Sequence, residues 1–203
     1  MVPHRHEKRL GNGTAEKGDA SMVPGQLIFV SGGVRSGKST YAESLVRQAS
    51  AKRNVYIASG VARDQEMAER IGRHRKDRAQ DGWWTIEQPK QLSEALPLIR
   101  ENDAVLWDCV TTWLANELYE GFEQGNLCAN KPGCMEQKWQ ELKNTIDAMR
   151  EQALTIVIVS NELLDEPLVA PAYQQWLGTI HQWLASRADQ AFEMDNGLAI
   201  RRK

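Results

Sequence analysis

Short apolar runs alternate along this chain with longer stretches whose apolar positions recur every three to four residues. The first pattern predicts buried strands and the second predicts helices. Leu27-Ile28-Phe29-Val30 predicts a strand over Gln26–Ser31, and the spacing beyond it predicts a helix over Lys38–Ala51. A short strand is expected at Val55–Ala58. A helix is expected over Gln65–Arg78, where Met67, Ile71 and His74 share one face. Trp84–Glu87 predicts another short strand. Pro89 then opens a predicted helix to about Ile99, because proline suits a first helical turn, and Pro97 is expected to end or kink it. Ala104–Cys109 reads as a buried strand, Thr111–Tyr119 as a helix, and the Gly- and Asn-rich stretch Gly121–Gly133 as a loop. Glu136–Glu151 predicts a helix, Thr155–Ser160 a β-branched strand, and Ala172–Arg187 a further helix. Two last strands, Gln190–Met194 and Leu198–Arg201, meet at Asn196-Gly197, a dipeptide suited to a tight hairpin turn.

Strands alternating with helices predict an α/β fold with a mostly parallel sheet, helices on both faces and a C-terminal antiparallel hairpin. Ligands of such sheets bind beyond the carboxyl ends of the strands. Four groups of residues fall there: Gly32–Ser39, Ala58-Ser59-Gly60, Asp108, and Asn161-Glu162. Residues 26–203 read as one domain, since 203 residues suffice for a single sizeable core. Residues 1–25 are polar and lack both apolar periodicity and the apolar core of a secretory signal. They read as a disordered tail, or as a start assigned upstream of Met22. His4 and His6 lie in that tail with no third ligand nearby.

The net charge of −2 and a pI near 6.1 argue against a nucleic-acid binder and for a small substrate. No apolar run approaches the roughly 20 residues needed to span a membrane. Cys109, Cys128 and Cys134 form no C-x-x-C pair; Cys128 and Cys134 could pair, but a reduced cytoplasmic protein is the simpler reading.

Gly32-Gly33-Val34-Arg35-Ser36-Gly37-Lys38-Ser39 has the form G-x-x-x-x-G-K-S and lies between a predicted strand and a predicted helix. That is the setting of a phosphate-binding loop. Glycines let the backbone turn its N–H groups toward phosphate oxygens, and the helix presents its positive end to the same anion. Lys38 would reach the β- and γ-phosphates, and the Ser39 hydroxyl would ligate Mg²⁺. Asp108, closing an apolar strand, is placed to hold that Mg²⁺ directly or through water; the alternative is a cap for the following helix. His74 lies in Arg73-His74-Arg75-Lys76-Asp77-Arg78. This run reads either as a solvated basic face or as a nucleophilic imidazole, kept neutral by neighbouring cations that also offset phosphate charge. Glu162 could orient a hydroxyl or water, or simply cap its loop. Most of the seven tryptophans are expected in the core.

Several segments together resemble the bifunctional adenosylcobinamide kinase/adenosylcobinamide-phosphate guanylyltransferase family of cobalamin biosynthesis. They are the phosphate loop with Tyr41-Ala42-Glu43 after it, Val55-Tyr56-Ile57-Ala58-Ser59, and the block from Asp64 through His74-Arg75 to Trp84-Thr85-Ile86-Glu87-Gln88-Pro89. Asp108-Cys109-Val110-Thr111-Thr112-Trp113-Leu114-Ala115-Asn116 and Val159-Ser160-Asn161-Glu162 complete the set. The resemblance implies a phosphate-loop α/β fold in which Gly32 to Ser39 hold the nucleotide triphosphate. His74 would match the nucleophile that takes GMP from GTP and passes it to the phosphorylated corrinoid. Ser59, Gly60, Arg75, Lys76, Asp77, Arg78, Glu87 and Asp108 would fall at nucleotide-contacting positions. The kinase step would use ATP or GTP with Mg²⁺ to phosphorylate the aminopropanol hydroxyl of adenosylcobinamide. The assembly implied is a homo-oligomer, expected as a trimer. The chain departs from the family's glycine-containing stretch at residues 163–171, and at His181, where the family has asparagine. His181 is expected on a helix surface. A small-molecule kinase that does not use His74, or a GTP-binding regulatory protein, are the competing functional readings.

Overall fold

The structure, a computed structural model, describes residues 24–62, 65–162 and 170–203. The proposed tail with His4, His6 and Met22 lies outside the described residues, as does most of the departing stretch at 163–171. The strands are β1 (Gln26–Gly32), β2 (Arg53–Ala58), β3 (Trp83–Glu87), β4 (Asp103–Asp108), β5 (Thr155–Asn161), β6 (Gln190–Asp195) and β7 (Leu198–Arg201). The helices are α1 (Lys38–Gln48), α2 (Gln65–Gln80), α3 (Val110–Leu118), α4 (Cys134–Gln152) and α5 (Pro171–Arg187). All seven strands form one sheet in the order β3-β2-β4-β5-β1-β6-β7. Every neighbouring pair is parallel except the hairpin of β6 and β7.

The continuous apolar runs are explained by burial on both faces. Alternate strand residues divide between two cores, as the two-residue period of a strand requires. Leu27, Phe29, Val55, Ile57, Val105, Trp107, Ile156 and Ile158 pack against apolar residues of α3, α4 and α5. Ile28, Val30, Leu106, Val157 and Val159 pack on the other face with Ala42 and Val46 of α1. The parallel strands β1 to β5 point their carboxyl ends at the same edge, where the phosphate loop, Ala58, Glu87, Asp108 and Asn161 lie.

Two expectations are corrected. Pro89 does not open an α-helix; a 3-10 helix forms over Leu92–Leu98, with Pro97 inside it. Gln91 takes a left-handed conformation at φ 47°, and its N–H donates to the Glu117 carboxylate at 2.6 Å, which anchors the Pro89–Gln91 segment as a turn. Pro97 lacks an N–H and would clash within an α-helix; here it lies next to last in a short 3-10 helix that ends at Leu98. The reading of reduced cysteines also changes: Cys128 and Cys134 form a disulfide, with Cα atoms 5.6 Å apart. Cys128 begins a single 3-10 turn, Cys134 begins α4, and Gly133 at φ 77° reverses the chain between them. Cys109 is free and buried. Among the described residues, no helix is long and apolar enough to cross a membrane.

Candidate functional site

β1 delivers the chain to Gly32, and two glycines shape the loop between β1 and α1. A Cβ on Gly32 would lie 2.6 Å from the Met194 carbonyl oxygen and 2.7 Å from Ser36 Oγ, so no side chain fits. Gly37 has φ 89° immediately before α1, a conformation natural to glycine. The hairpin turn braces the loop from behind: Gly197 N–H donates to the Ser36 carbonyl at 3.0 Å. Lys38 is nearly buried and its Nζ donates to the Gly33 carbonyl at 3.1 Å. Ser36 Oγ is buried with no hydrogen-bond partner among the described residues. Such a hydroxyl costs free energy unless something satisfies it, and a phosphate oxygen is a fitting acceptor.

Asp108 faces this loop. Its Oδ2 accepts from Ser39 Oγ at 3.2 Å and from the Tyr56 hydroxyl at 2.8 Å. No side chain caps α3, whose N-cap is Cys109, so the carboxylate is turned toward the loop rather than used as a cap. Burial, then the adjacent Asp108 charge, pushes the Tyr56 phenol above its ordinary range, which keeps it a protonated donor. Among the described residues no cluster of three or more His, Cys, Asp or Glu could hold a metal. Mg²⁺ in phosphate-loop sites needs only one or two protein oxygens, the rest coming from phosphate and water. Ser39 and Asp108 fit that requirement.

α2 brings the basic run to the same place, and helical periodicity sorts its members. Arg78 lays its guanidinium over the Tyr56 ring, 3.7 Å from the centroid, and so fastens α2 to β2. His74, one turn earlier and exposed, lines a cleft of about 550 Å³ with Ser39, Glu43, Asp108, Thr112 and Arg78. Arg75 lines an adjoining cleft of about 300 Å³ with Gly60, Val61, Pro89 and Glu87, and donates to Glu87 at 2.9 Å. The two clefts share Ala58, Gly60, Ile71 and Arg78. Lys76 and Asp77 are exposed and line neither. Ser59 also stands apart. It is fully buried, and its hydroxyl accepts from Trp107 Nε1 at 2.8 Å while its N–H donates to the Asp108 carbonyl. Gly60, not the Ser59 side chain, is the part of this segment that the clefts meet.

Tyr56 and Glu43 escape a reading of the sequence as site residues. Tyr56 is hidden within an apolar strand run. Glu43 carries a signal: it lies four residues after Ser39, on the same helix face. Burial raises the Glu43 carboxyl above the usual range, opposed by Arg47 and Arg78 and reinforced by Asp108 and Asp81. Glu162 is engaged beneath the loop: it accepts from Ser31 Oγ at 2.6 Å, and its N–H donates to the Gly32 carbonyl at 3.0 Å.

His181 is corrected from a surface residue to a packed one. Its Nε2 lies 2.7 Å from the buried Ser160 Oγ and its ring packs against Phe29. α5 lies against the sheet, and burial lowers the imidazole to about 4. Between the unfolded value near 6.5 and about 4, the unfolded chain binds a proton that the folded chain refuses, so stability falls as pH falls. Urea unfolding at pH 7 and pH 4.5 is expected to show a loss that is on the order of 2 kcal/mol smaller in His181→Asn than in wild type. Equal acid losses would refute the assignment.

The family model described as cobinamide kinase / cobinamide phosphate guanyltransferase matches residues 28–201. The bifunctional adenosylcobalamin biosynthesis protein CobU of Escherichia coli (strain K12) is 32% identical over 183 residues, covering 87% of this chain and 99% of that protein. The bifunctional adenosylcobalamin biosynthesis protein CobP of Pseudomonas aeruginosa is 34% identical over 167 residues, covering 80% and 88%. Among solved structures, a prototypical ATPase from the type III secretion system of pathogenic bacteria superposes with a TM-score of 0.53 at 15% identity. That match covers 88% of this chain and 58% of the ATPase, and it speaks to the fold alone. With the family model spanning nearly the whole sheet and relatives above 30% identity along most of their length, the chain belongs to the cobinamide kinase / cobinamide phosphate guanyltransferase family.

Proposed function

We propose that this chain catalyses both reactions in one site. In the first, the aminopropanol hydroxyl oxygen of adenosylcobinamide attacks the γ-phosphorus of ATP or GTP. The bond to the bridging oxygen breaks and a nucleoside diphosphate leaves. Glu43, raised toward a basic carboxyl and lining the cleft with Ser39 and Asp108, is the group suited to take the hydroxyl proton. In the second, a ring nitrogen of His74 attacks the α-phosphorus of GTP and pyrophosphate leaves. A phosphate oxygen of adenosylcobinamide phosphate then attacks the GMP-histidine phosphoramidate, which frees His74 and gives adenosylcobinamide-GDP. Gly32, Gly33, Val34, Arg35, Ser36, Gly37, Lys38 and Ser39 would cradle the triphosphate, and Arg75, Arg78, Glu87 and Gly60 would flank the nucleotide. Mg²⁺ held by Ser39 and Asp108 would offset charge on the phosphates.

The observation that carries this reading is the common cleft: α2 sets His74 and Arg78 against the same space as Ser39 and Asp108. Family membership supports both activities. The wider expectations, a cytoplasmic homo-oligomer with trimeric assembly, a corrinoid substrate and a single working domain over residues 26–203, rest on the resemblance and on the one continuous sheet. The test is incubation with GTP labelled on the α-phosphate. Acid-labile, base-stable label on the peptide containing His74 is expected. Absence of such label in active protein would sink the covalent step.

A further inference from the structure

We infer that a third cleft, bounded by the Pro89-Lys90 turn, the end of α3 and the loop from Tyr119 to Gln124, is the acceptor subsite and receives the corrinoid ring. This rests on the proposed function. The cleft has a volume of about 730 Å³, larger than either of the two that hold His74 and Arg75. It shares Val61 and Pro89 with the cleft that holds Arg75. The three therefore adjoin in series through shared lining residues, from Ser39 and Asp108 past His74 and Arg75 to Phe122. In the proposed function the first two hold the nucleotide. The third lies beyond the phosphate-binding groups and on the same edge of the sheet.

Its chemistry suits a large, amide-fringed ring that carries no negative charge. Phe122 is 72% exposed, and Val61 and Tyr119 are 42% and 38% exposed beside it. Single exposed apolar residues are ordinary, but three lining one concavity make a binding surface. Phe122 is not displayed by loose chain. Its N–H donates to the Tyr119 carbonyl, Gly125 N–H donates to the Phe122 carbonyl, and Asn126 N–H donates to the Gly121 carbonyl, at 3.2, 3.0 and 2.9 Å. Gly121, at φ 83°, allows this closure, because a Cβ there would lie 2.3 Å from the Asn126 carbonyl oxygen.

Of the three charged residues lining the cleft, Lys90 and Glu120 are engaged with one another, and Glu123 is exposed and, among the described residues, paired with none. Lys90 donates to Glu120 at 2.6 Å, and Lys138 donates to Glu120 at 2.9 Å and also to the buried Glu117. Hydrogen bonds from Lys90 and Lys138 hold the Glu120 carboxyl down to about 2. Among the described residues that line this cleft, the one cation is Lys90, and it is paired, while Glu123 leaves a carboxylate at the rim, so the cleft disfavours an anion and accepts a ring without negative charge against Phe122. Asn116 ties it to the nucleotide side, donating to the carbonyls of Ser59 at 2.9 Å and Pro89 at 3.0 Å.

The experiment uses the full-length protein and adenosylcobinamide, with Phe122→Ala and Phe122→Tyr. In Phe122→Ala, KM for adenosylcobinamide is expected to rise about 10-fold or more, with KM for GTP and α-phosphate labelling unchanged. Phe122→Tyr, which keeps the ring, should behave as wild type. An unchanged corrinoid KM in Phe122→Ala overturns the subsite. Failure of the unmutated protein to use any corrinoid overturns the proposed function itself, and the subsite with it. A change in oligomeric state by light scattering, with loss of both reactions, also overturns it and assigns the surface to a subunit contact.

Discussion

Replacing His74 with alanine is expected to separate the two reactions. α-Phosphate labelling and guanylyl transfer should fall at least about 10⁴-fold, the scale on which removing a covalent nucleophile acts. Phosphorylation of the corrinoid hydroxyl should stay within about threefold, because the γ-phosphoryl step asks nothing of the imidazole. The structure explains why the variant should remain folded. His74 is exposed on α2, while that helix is fastened to the sheet by Arg78 stacked on Tyr56, one turn further on. The steps are followed independently: nucleoside diphosphate release with adenosylcobinamide, and pyrophosphate release with GTP. If both decline together, His74 orients the nucleotide and is not the nucleophile. Arg78→Ala is the informative contrast, since it loosens the whole helix and should impair both reactions.

How much of this site can be read in the chain depends on whether the chemistry is local. The phosphate loop is contiguous, and its glycines answer local constraints: Gly32 has no room for a Cβ and Gly37 needs a left-handed turn. The Asn196-Gly197 hairpin is legible for the same reason, although its contact with the Ser36 carbonyl is not. In the basic run, charge alone cannot separate Arg75 and Arg78 from Lys76 and Asp77; the helical period does so once the orientation of α2 is known. Tyr56 shows the opposite case. It is one residue of an apolar strand, and only the neighbouring β4 brings Asp108 to its hydroxyl, in a register where Ala58 lies opposite Asp108. The Cys128–Cys134 pair and the burial of His181 likewise depend on how a loop folds back and which face of α5 meets the sheet. Neither is set by spacing along the chain.

Replacing Lys38 with alanine or methionine should behave differently from replacing His74, and the difference tests whether one loop serves both reactions. Among the described residues the ammonium donates only to the Gly33 carbonyl, so its loss should change folding stability by about 1 kcal/mol. Its contribution to turnover should be far larger. During γ-phosphoryl transfer charge moves onto the bridging and γ oxygens, and a fixed cation in a water-poor site is worth about 10³-fold in kcat. In the proposed mechanism guanylyl transfer breaks a different bond, but its leaving group is the same β,γ-diphosphate unit and would be held by the same loop. The Lys38 variants should therefore lose both reactions together, by roughly comparable factors, while the thermal midpoint moves little. Arginine should not restore them, because its planar fork cannot replace a compact ammonium folded back over the Gly33 carbonyl. The two activities, assayed separately in each variant, then give opposite signatures. His74→Ala splits the reactions and Lys38→Ala removes both. If guanylyl transfer persists in Lys38→Ala at the wild-type rate, the triphosphate of that step is held elsewhere, and a single site for both reactions is refuted.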